Sequence, residues 1–388
     1  MNILALEPWY GGSHEHFLDG LMTHSSHTFE AITMPGRFWR WRMEGGAVTL
    51  ARKARETIHN GFEPDLLFIS DMVNLPAFLA LVRPLCADVP VVAYFHENQL
   101  TYPIPPDRER ERAYGLINYL TALAADRVVF NSRFHVQEFV EALPLLLRDF
   151  PDHTNLHTVQ DIRQKSTVLP LGMDLEGHDA YDAAAHQVGA ARTGGPPIVL
   201  WNQRWEYDKN PEAFFRVMNR LDDAGYDFRL ILAGRHFREQ PEAFETAFER
   251  YAERILHYGY AEDFDEYSRL LHRADLVVST SLHEFFGVAI MEAIYCGCHP
   301  LLPNRLSYPE LIPGSLHEPL LHAPVLYEDE DDLFQALGAI LTGEERPLPA
   351  DRLREIPARL NWPTHVEQYD ALFEEVAAAG QPVAAASE

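Results

Sequence analysis

Lysine is almost missing from this 388-residue chain: Lys53, Lys165 and Lys209 stand against 29 arginines among 32 basic side chains. Basic charge as a whole is scarce, because 58 acidic residues leave a formal net charge of −26. Such an acidic surface suits a salt-rich cytoplasm, where screening makes self-repulsion cheap. It argues against a broad nucleic-acid-binding face, which needs a basic footprint. Cysteine is scarce too. Cys86, Cys296 and Cys298 offer no disulfide framework and too few ligands for a structural zinc site. No apolar run approaches the roughly 18–20 residues that span a bilayer, and the start of the chain does not resemble a signal peptide. The expectation is a soluble, cytoplasmic protein with no membrane partner.

What is present is apolar residue, at 47% of the chain, enough for two cores, and about twice the length of an ordinary domain. Short continuous apolar runs alternate with helical patterns. The first half has them at Asn2–Leu6, Phe29–Met34, Leu66–Ser70, Val89–Phe95, Arg127–Asn131 and Thr167–Leu169. The second half has them at Ile198–Trp201, Phe228–Ala233, Ile255–Tyr258, Leu276–Ser279, His299–Leu302 and Val325–Tyr327. Continuous rather than alternating runs fit parallel strands buried on both faces. The pattern predicts an α/β protein with two doubly wound, Rossmann-like domains facing a cleft. They are placed at 1–175 and 197–360, with a Gly/Pro-containing linker at 176–196. A last helix is predicted over 361–376 and a disordered tail over 377–388; the acidic run Glu328–Asp332 reads as a solvated loop. Ligands of such sheets bind at the carboxyl ends of strands.

Two segments in the second half carry chemistry there. In Glu284-Phe285-Phe286-Gly287-Val288-Ala289-Ile290-Met291-Glu292, a glycine turn leads into an apolar helix. The amides of Val288 and Ala289 at its start make an anion site. Glu284 would face an uncharged, hydroxyl-rich group, and Glu292, one turn on, would accept from a ribose diol. An ordinary helix start with surface carboxylates is the competing reading. The second segment, Trp201–Pro211, places Arg204 and Lys209 on either side of a turn. Two such cations make a diphosphate clamp, each charge-assisted hydrogen bond contributing about 1.5–3 kcal/mol.

These residues resemble the retaining GT-B glycosyltransferases, the large family that includes sucrose synthases and bacterial mannosyltransferases. Glu284 and Glu292 match its E-x7-E hallmark, and Arg204 with Lys209 resembles its diphosphate clamp. The segment Pro170-Leu171-Gly172-Met173-Asp174 is similar to the Asn-Gly-Val-Asp turn that closes the family's first domain, with Leu171 a departure from the usual Asn. The resemblance implies a final helix crossing back to the N-terminal domain. It also implies front-face attack assisted by the donor phosphate, without a protein nucleophile.

In the first half, Gly11 and Gly12 follow the first strand and would let backbone amides approach the diphosphate from the opposite domain. The resemblance places His96, after another strand, against the donor hexose beside the reacting carbon. His96, Arg204, Lys209 and Glu284 are thus the catalytic candidates. Gly11, Gly12, Gly287, Val288, Ala289 and Glu292 join Arg204 and Lys209 as the nucleotide-sugar site. The strings around Tyr10–His14, Phe95–Pro103 and Val128–Ser132, with the Arg37–Arg42 segment, resemble one subfamily over about residues 1–375: the tRNA-queuosine mannosyltransferases, which use GDP-mannose.

One charge pattern bears on that. Between residues 37 and 55, Arg37, Arg40, Arg42, Arg52, Lys53 and Arg55 face one acid, Glu44. Interleaved with Phe38, Trp39 and Trp41, these cations suit stacking on unpaired bases and pairing with phosphates. A half-buried tryptophan pair with surface arginines is the plain alternative. Arg37, Trp39, Arg40, Trp41 and Arg42, with His14 and Asn98, are assigned to the acceptor. Arg108, Arg110 and Arg112 alternate with acids and form a near-neutral loop.

The expectation is therefore hexose transfer, mannose from GDP-mannose, onto queuosine in tRNA. No metal is required, since no Asp-x-Asp motif stands at a suitable strand end. Rival readings are a GT-B transferase acting on a lipid, polysaccharide or small molecule, a nucleotide-sugar epimerase, and a nucleic-acid-binding protein with a decayed sugar site. Donor hydrolysis separates the last from the enzymes.

Overall fold

The computed structural model describes residues 1–104, 109–181, 195–234, 242–317 and 321–380. The chain forms two compact units, Met1–Met173 with Trp362–Glu388, and Asp174–Asn361.

In the first unit six strands, β1 (Asn2–Tyr10), β2 (Thr28–Pro35), β3 (Leu66–Ser70), β4 (Val91–Phe95), β5 (Arg127–Phe130) and β6 (Ser166–Val168), pair in the order β2-β1-β3-β4-β5-β6. Every pairing is parallel. Both faces are covered by helices, which is why Ile3–Leu6 and Leu66–Ile69 are continuous and almost fully buried. The strand order reverses between β1 and β3, so side chains leaving the carboxyl ends of β1, β3 and β4 converge at a switch point.

The helix Trp362–Gly380 belongs to this unit and extends four residues past its expected end. Trp362 seats it: a Cβ on Gly20 would meet the indole at 1.9 Å and one on Gly172 at 2.4 Å. Gly172 in the closing turn is thus a close-approach glycine. Tyr369 donates to the Pro170 carbonyl at 2.7 Å, and Asp370 accepts from Ser25 and Ser26. The tail at 381–388 lies outside the described residues.

The second unit repeats the architecture with β7 (Ile198–Trp201), β8 (Arg229–Ala233), β9 (Ile255–Gly259), β10 (Leu276–Val278), β11 (His299–Pro303) and β12 (Leu326–Tyr327), ordered β12-β11-β10-β7-β8-β9. All are parallel, and the switch point falls between β7 and β10.

Two expectations need correction. The first part of the proposed linker, Glu176–Tyr181, is a 3-10 helix packed into the second unit, where His178 is buried and bonds Ser268 Oγ at 2.9 Å; residues 182–194 lie outside the described residues. The acidic run is not a loop. Asp329 caps the helix Glu330–Thr342 by accepting from the Asp331 and Asp332 amides, where negative charge meets the helix dipole. Its Asp329-x-Asp331 spacing is therefore used on the cap and on an Asp331–Arg220 pair at 2.8 Å.

Candidate functional site

In the second unit the loops after β7 and β10 are bound to each other. Gln203 Nε2 donates to Ser279 Oγ at 2.9 Å and Ser281 Oγ at 3.1 Å. Thr280 Oγ1 donates to the carbonyls of Lys209 and Asn210, both at 3.0 Å, and the Leu282 amide reaches Asp208 O at 2.8 Å. Asn210, in the left-handed region at φ 52°, ends the turn Tyr207–Lys209 and caps the helix Pro211–Asp223 through its side chain.

This stitching brings Lys209 and Glu284 together. Lys209 is buried, and its Nζ lies 3.0 Å from Glu284 Oε2, 2.9 Å from the His283 carbonyl and 3.3 Å from Asp208 Oδ2. Burial alone would lower the ammonium's pKa; the Glu284 and Asp208 charges outweigh it and raise it. Burial would raise the Glu284 carboxyl, but Lys209 holds it below its ordinary value. Arg204 is more exposed and pairs with Glu206 at 3.0 Å.

The helix Val288–Tyr295 starts at Gly287, whose φ of 104° excludes side chains and whose Cβ would stand 3.2 Å from the Tyr308 ring. Val288 and Ala289 are in its first turn, whose amides have no acceptor within the helix. On the same helix Glu292 accepts from Tyr267 OH at 2.8 Å. Burial pushes its carboxyl up to about 7, and Asp174 adds to the shift against the Tyr267 hydrogen bond. Asn202 Nδ2 donates to Ala289 O at 2.8 Å, while its Oδ1 is buried without a hydrogen-bond partner among the described residues. Tyr267 and Asn202 carry no motif signal in the sequence; only the sheet topology brings them to Glu292.

The first unit holds a second cluster. Glu7, in the last buried stretch of β1, accepts from the Trp9 amide at 2.7 Å and Ser70 Oγ at 3.1 Å, and takes His14 Nδ1 at 3.0 Å. The His14 and His96 ring centroids are 4.0 Å apart. Asp71, fully buried after β3, accepts the His96 amide at 2.9 Å through Oδ1; its Oδ2 has no hydrogen-bond partner among the described residues. Burial, with Glu97 and Glu7 nearby, raises the Asp71 carboxyl well above the usual range despite His14 and the His96 amide. One ligand atom each of Glu7, His14 and His96 lies within 4.8 Å of the others, a spacing a metal ion can span. The Glu7–His14 hydrogen bond already occupies two of those side chains. Gly11 and Gly12 follow β1, Gly12 at φ 60° as the cap of the helix Ser13–His24.

Three of the residues assigned to the acceptor are buried and engaged within the protein. Arg42 is buried and directs Nε and one terminal nitrogen at the Pro35 carbonyl, both at 3.2 Å, so it braces the helix Trp39–His59. Asn98 is fully buried and folds back on its own turn, accepting from the Leu100 and Thr101 amides at 3.0 Å. His14 is 7% exposed and engaged by Glu7. In the rest of the segment Trp39 is half-buried, whereas Phe38 is 72% and Trp41 61% exposed. Arg37 lies over the Phe38 ring, Arg40 pairs with Glu111 at 2.7 Å, and Trp39 packs on Tyr114. Arg110 donates to the Gln99 and Tyr102 carbonyls, and Arg108 lies outside the described residues. Among the described residues no helix is long and apolar enough to cross a membrane.

Two parallel doubly wound units, with Arg204, Lys209, Glu284 and Glu292 gathered at the switch point of the second, have the architecture of the GT-B glycosyltransferases. Solved structures agree on the fold. Sucrose-phosphate synthase from Thermosynechococcus elongatus superposes with a TM-score of 0.69 at 16% identity, covering 98% of this chain and 100% of that one. A UDP-forming alpha,alpha-trehalose-phosphate synthase from Burkholderia xenovorans gives 0.64 at 15% identity, over 97% and 99%. Residues 185–314 match the family described as glycosyl transferases group 1. Residues 2–173 match the family described as tRNA-queuosine alpha-mannosyltransferase N-terminal. The tRNA-queuosine alpha-mannosyltransferase of Drosophila melanogaster is 34% identical over 80% of this chain and 82% of its own length. A GDP-mannose-dependent phosphatidylinositol dimannoside mannosyltransferase of Mycobacterium tuberculosis is 25% identical over 72% and 67%. The chain belongs to the tRNA-queuosine alpha-mannosyltransferase family.

Proposed function

We propose that this enzyme transfers mannose from GDP-mannose, with retention of configuration, to queuosine in tRNA in the cytoplasm, and that it needs no metal ion. The observation that carries the reading is the joint one: an N-terminal unit matching the queuosine-specific family beside a complete donor set of Arg204, Lys209, Glu284 and Glu292. In this reading Arg204, Lys209 and the Val288 and Ala289 amides neutralise the departing diphosphate. Stabilisation of that leaving charge is the main catalytic contribution. Glu292 takes the ribose hydroxyls, Glu284 the hexose, and Gly11 and Gly12 offer further amides. His96 meets the transferred hexose.

The acceptor reading rests on charge. Arg37, Phe38, Arg40 and Trp41 are exposed around the start of the helix Trp39–His59, and farther along it a groove of about 690 Å³ is lined by Arg52, its ion-pair partner Glu56, Arg55 and His59 among others. Cations beside flat apolar faces suit unpaired RNA. The test is incubation with tRNA carrying or lacking queuosine and each of several sugar nucleotides, followed by nucleoside mass spectrometry. A mannosylated nucleoside only with GDP-mannose and queuosine-containing tRNA is expected. Transfer to tRNA lacking queuosine, or to none, defeats the proposal.

A further inference from the structure

A carboxylate buried in the apolar run of β1 costs several kcal/mol unless its partners compensate, so Glu7 calls for an explanation. Its two oxygens have three donors, Trp9 N–H, Ser70 Oγ–H and His14 Nδ1–H, which leave it a single orientation. That orientation sets His14, and the His14 ring lies against His96 at 4.0 Å with the planes 32° apart. Phe17 meets the His96 ring edge-on at 4.9 Å and Tyr94 packs at the same distance. The His96 backbone is pinned at both ends, its amide on Asp71 and its carbonyl accepting from Asn131 Nδ2 at 2.9 Å. His96 nevertheless remains partly open to solvent, whereas His14 does not.

We infer that Glu7 and His14 are positioning residues for His96: the carboxylate fixes His14, and the His14 ring, tilted against it, fixes the plane of the imidazole that meets the sugar. This rests on the reading that His96 faces the transferred hexose.

The charges explain why position 14 is histidine and not an aromatic hydrocarbon. Burial would lower the His14 pKa, but Glu7, Asp71 and Glu97 raise it to about 9, so the ring is an imidazolium at neutral pH. Burial, then the His14 charge, then His135, hold His96 well below its ordinary value, so it is neutral. A neutral imidazole offers a hydroxyl both a donor and an acceptor. The groups that set this balance come from every neighbouring element: Glu7 on β1, Asp71 after β3, Glu97 after β4 and His135 on the helix Arg133–Arg148.

The test uses the full chain with GDP-mannose and queuosine-containing tRNA, comparing H14Q, E7Q, H96A and the H14Q/H96A double variant. H14Q and E7Q should each lower kcat about tenfold or more, with donor KM changed less than about threefold. In the H96A background H14Q should cost less than about twofold, since it acts through the missing ring. The parent's kcat should fall as pH rises through about 9, and E7Q should move that limb at least about one unit lower. E7Q is isosteric and keeps the acceptor for Trp9, so it carries the test if H14Q fails to fold. Losses that multiply in the double variant, or an alkaline limb unmoved in E7Q, overturn the inference. Parental activity in H96A instead overturns the placement of His96 at the sugar.

Discussion

Lys209 and Glu284 form a buried ion pair, Nζ to Oε2 at 3.0 Å, that joins the loops after β7 and β10. The pair links two roles that sequence motifs assign separately, phosphate neutralisation to the lysine and hexose recognition to the glutamate. Glu284 fixes the ammonium, and in the proposed donor site that would order the clamp without reorganisation during the reaction. Arg204, partly exposed, is the more adaptable half.

Lys209→Ala should lower turnover at least about tenfold, since it removes a charge partner worth over roughly 1.4 kcal/mol in the transition state. It should also lower stability by up to about 3 kcal/mol, because Glu284 is left shielded without its cation. Arg204→Ala should lower turnover similarly while leaving the thermal midpoint almost unchanged. Steady-state kinetics with thermal melts separates the two; near-normal turnover in either variant removes the clamp assignment.

Glu292 predicts a pH dependence in donor binding. Its carboxyl is pushed up to about 7 by burial, and only the ionised form accepts both hydroxyls of a ribose diol. Donor affinity should therefore strengthen as pH rises through about 7, and Glu292→Gln should flatten that dependence. Stability runs the other way. The folded carboxyl binds its proton more tightly than the unfolded one, so its contribution is full below about 4.5 and lost as pH rises through about 7. Calorimetric titration across that range measures the first effect, and a donor affinity independent of pH in the parent would sink the assignment.

In the proposed mechanism Arg204, Lys209 and helix-start amides take the place of a metal at the diphosphate, so turnover should survive EDTA. The Glu7, His14 and His96 spacing makes this a sharp test. Activity lost on chelation and restored by Mg²⁺ or Mn²⁺ contradicts the mechanism.

The fold was legible because its strands are buried on both faces. Leu66–Ser70 and Ile198–Trp201, predicted as continuous apolar runs, are strands β3 and β7 with the same bounds, and each of the other ten runs overlaps a strand whose start differs by at most two residues and whose end by at most four. The donor-site candidates stood out in the sequence because glycine turns and an isolated lysine are local signals. The Glu7–His14–Asp71–His96 cluster was not. Its members lie on or after three different strands, and only the β1-β3-β4 neighbourhood unites them. Burial was the other blind spot. Arg42 and Arg40 are two residues apart in an arginine-rich string, yet helical geometry turns one to the Pro35 carbonyl and leaves the other outside.

That difference decides how the RNA surface is tested. Removing Arg42 would loosen the helix Trp39–His59 and confuse folding with binding, so the informative pair is Arg37 and Arg40, both exposed. Replacing both with Ala should weaken tRNA binding and lower the slope of log affinity against log salt by about 1 for each cation, since fewer counterions are released. The Arg40–Glu111 pair makes the Arg40 share the smaller, because Glu111 partly neutralises it before RNA arrives. Glu111→Gln should accordingly strengthen binding. Donor affinity should be unchanged in both variants, since Arg204, Lys209 and Glu292 lie in the other unit. Filter binding across a salt series measures the slopes. If the double variant binds tRNA as the parent does, or if the parent modifies the free nucleoside as fast as tRNA, this surface is not the acceptor site, and the donor chemistry stands without it.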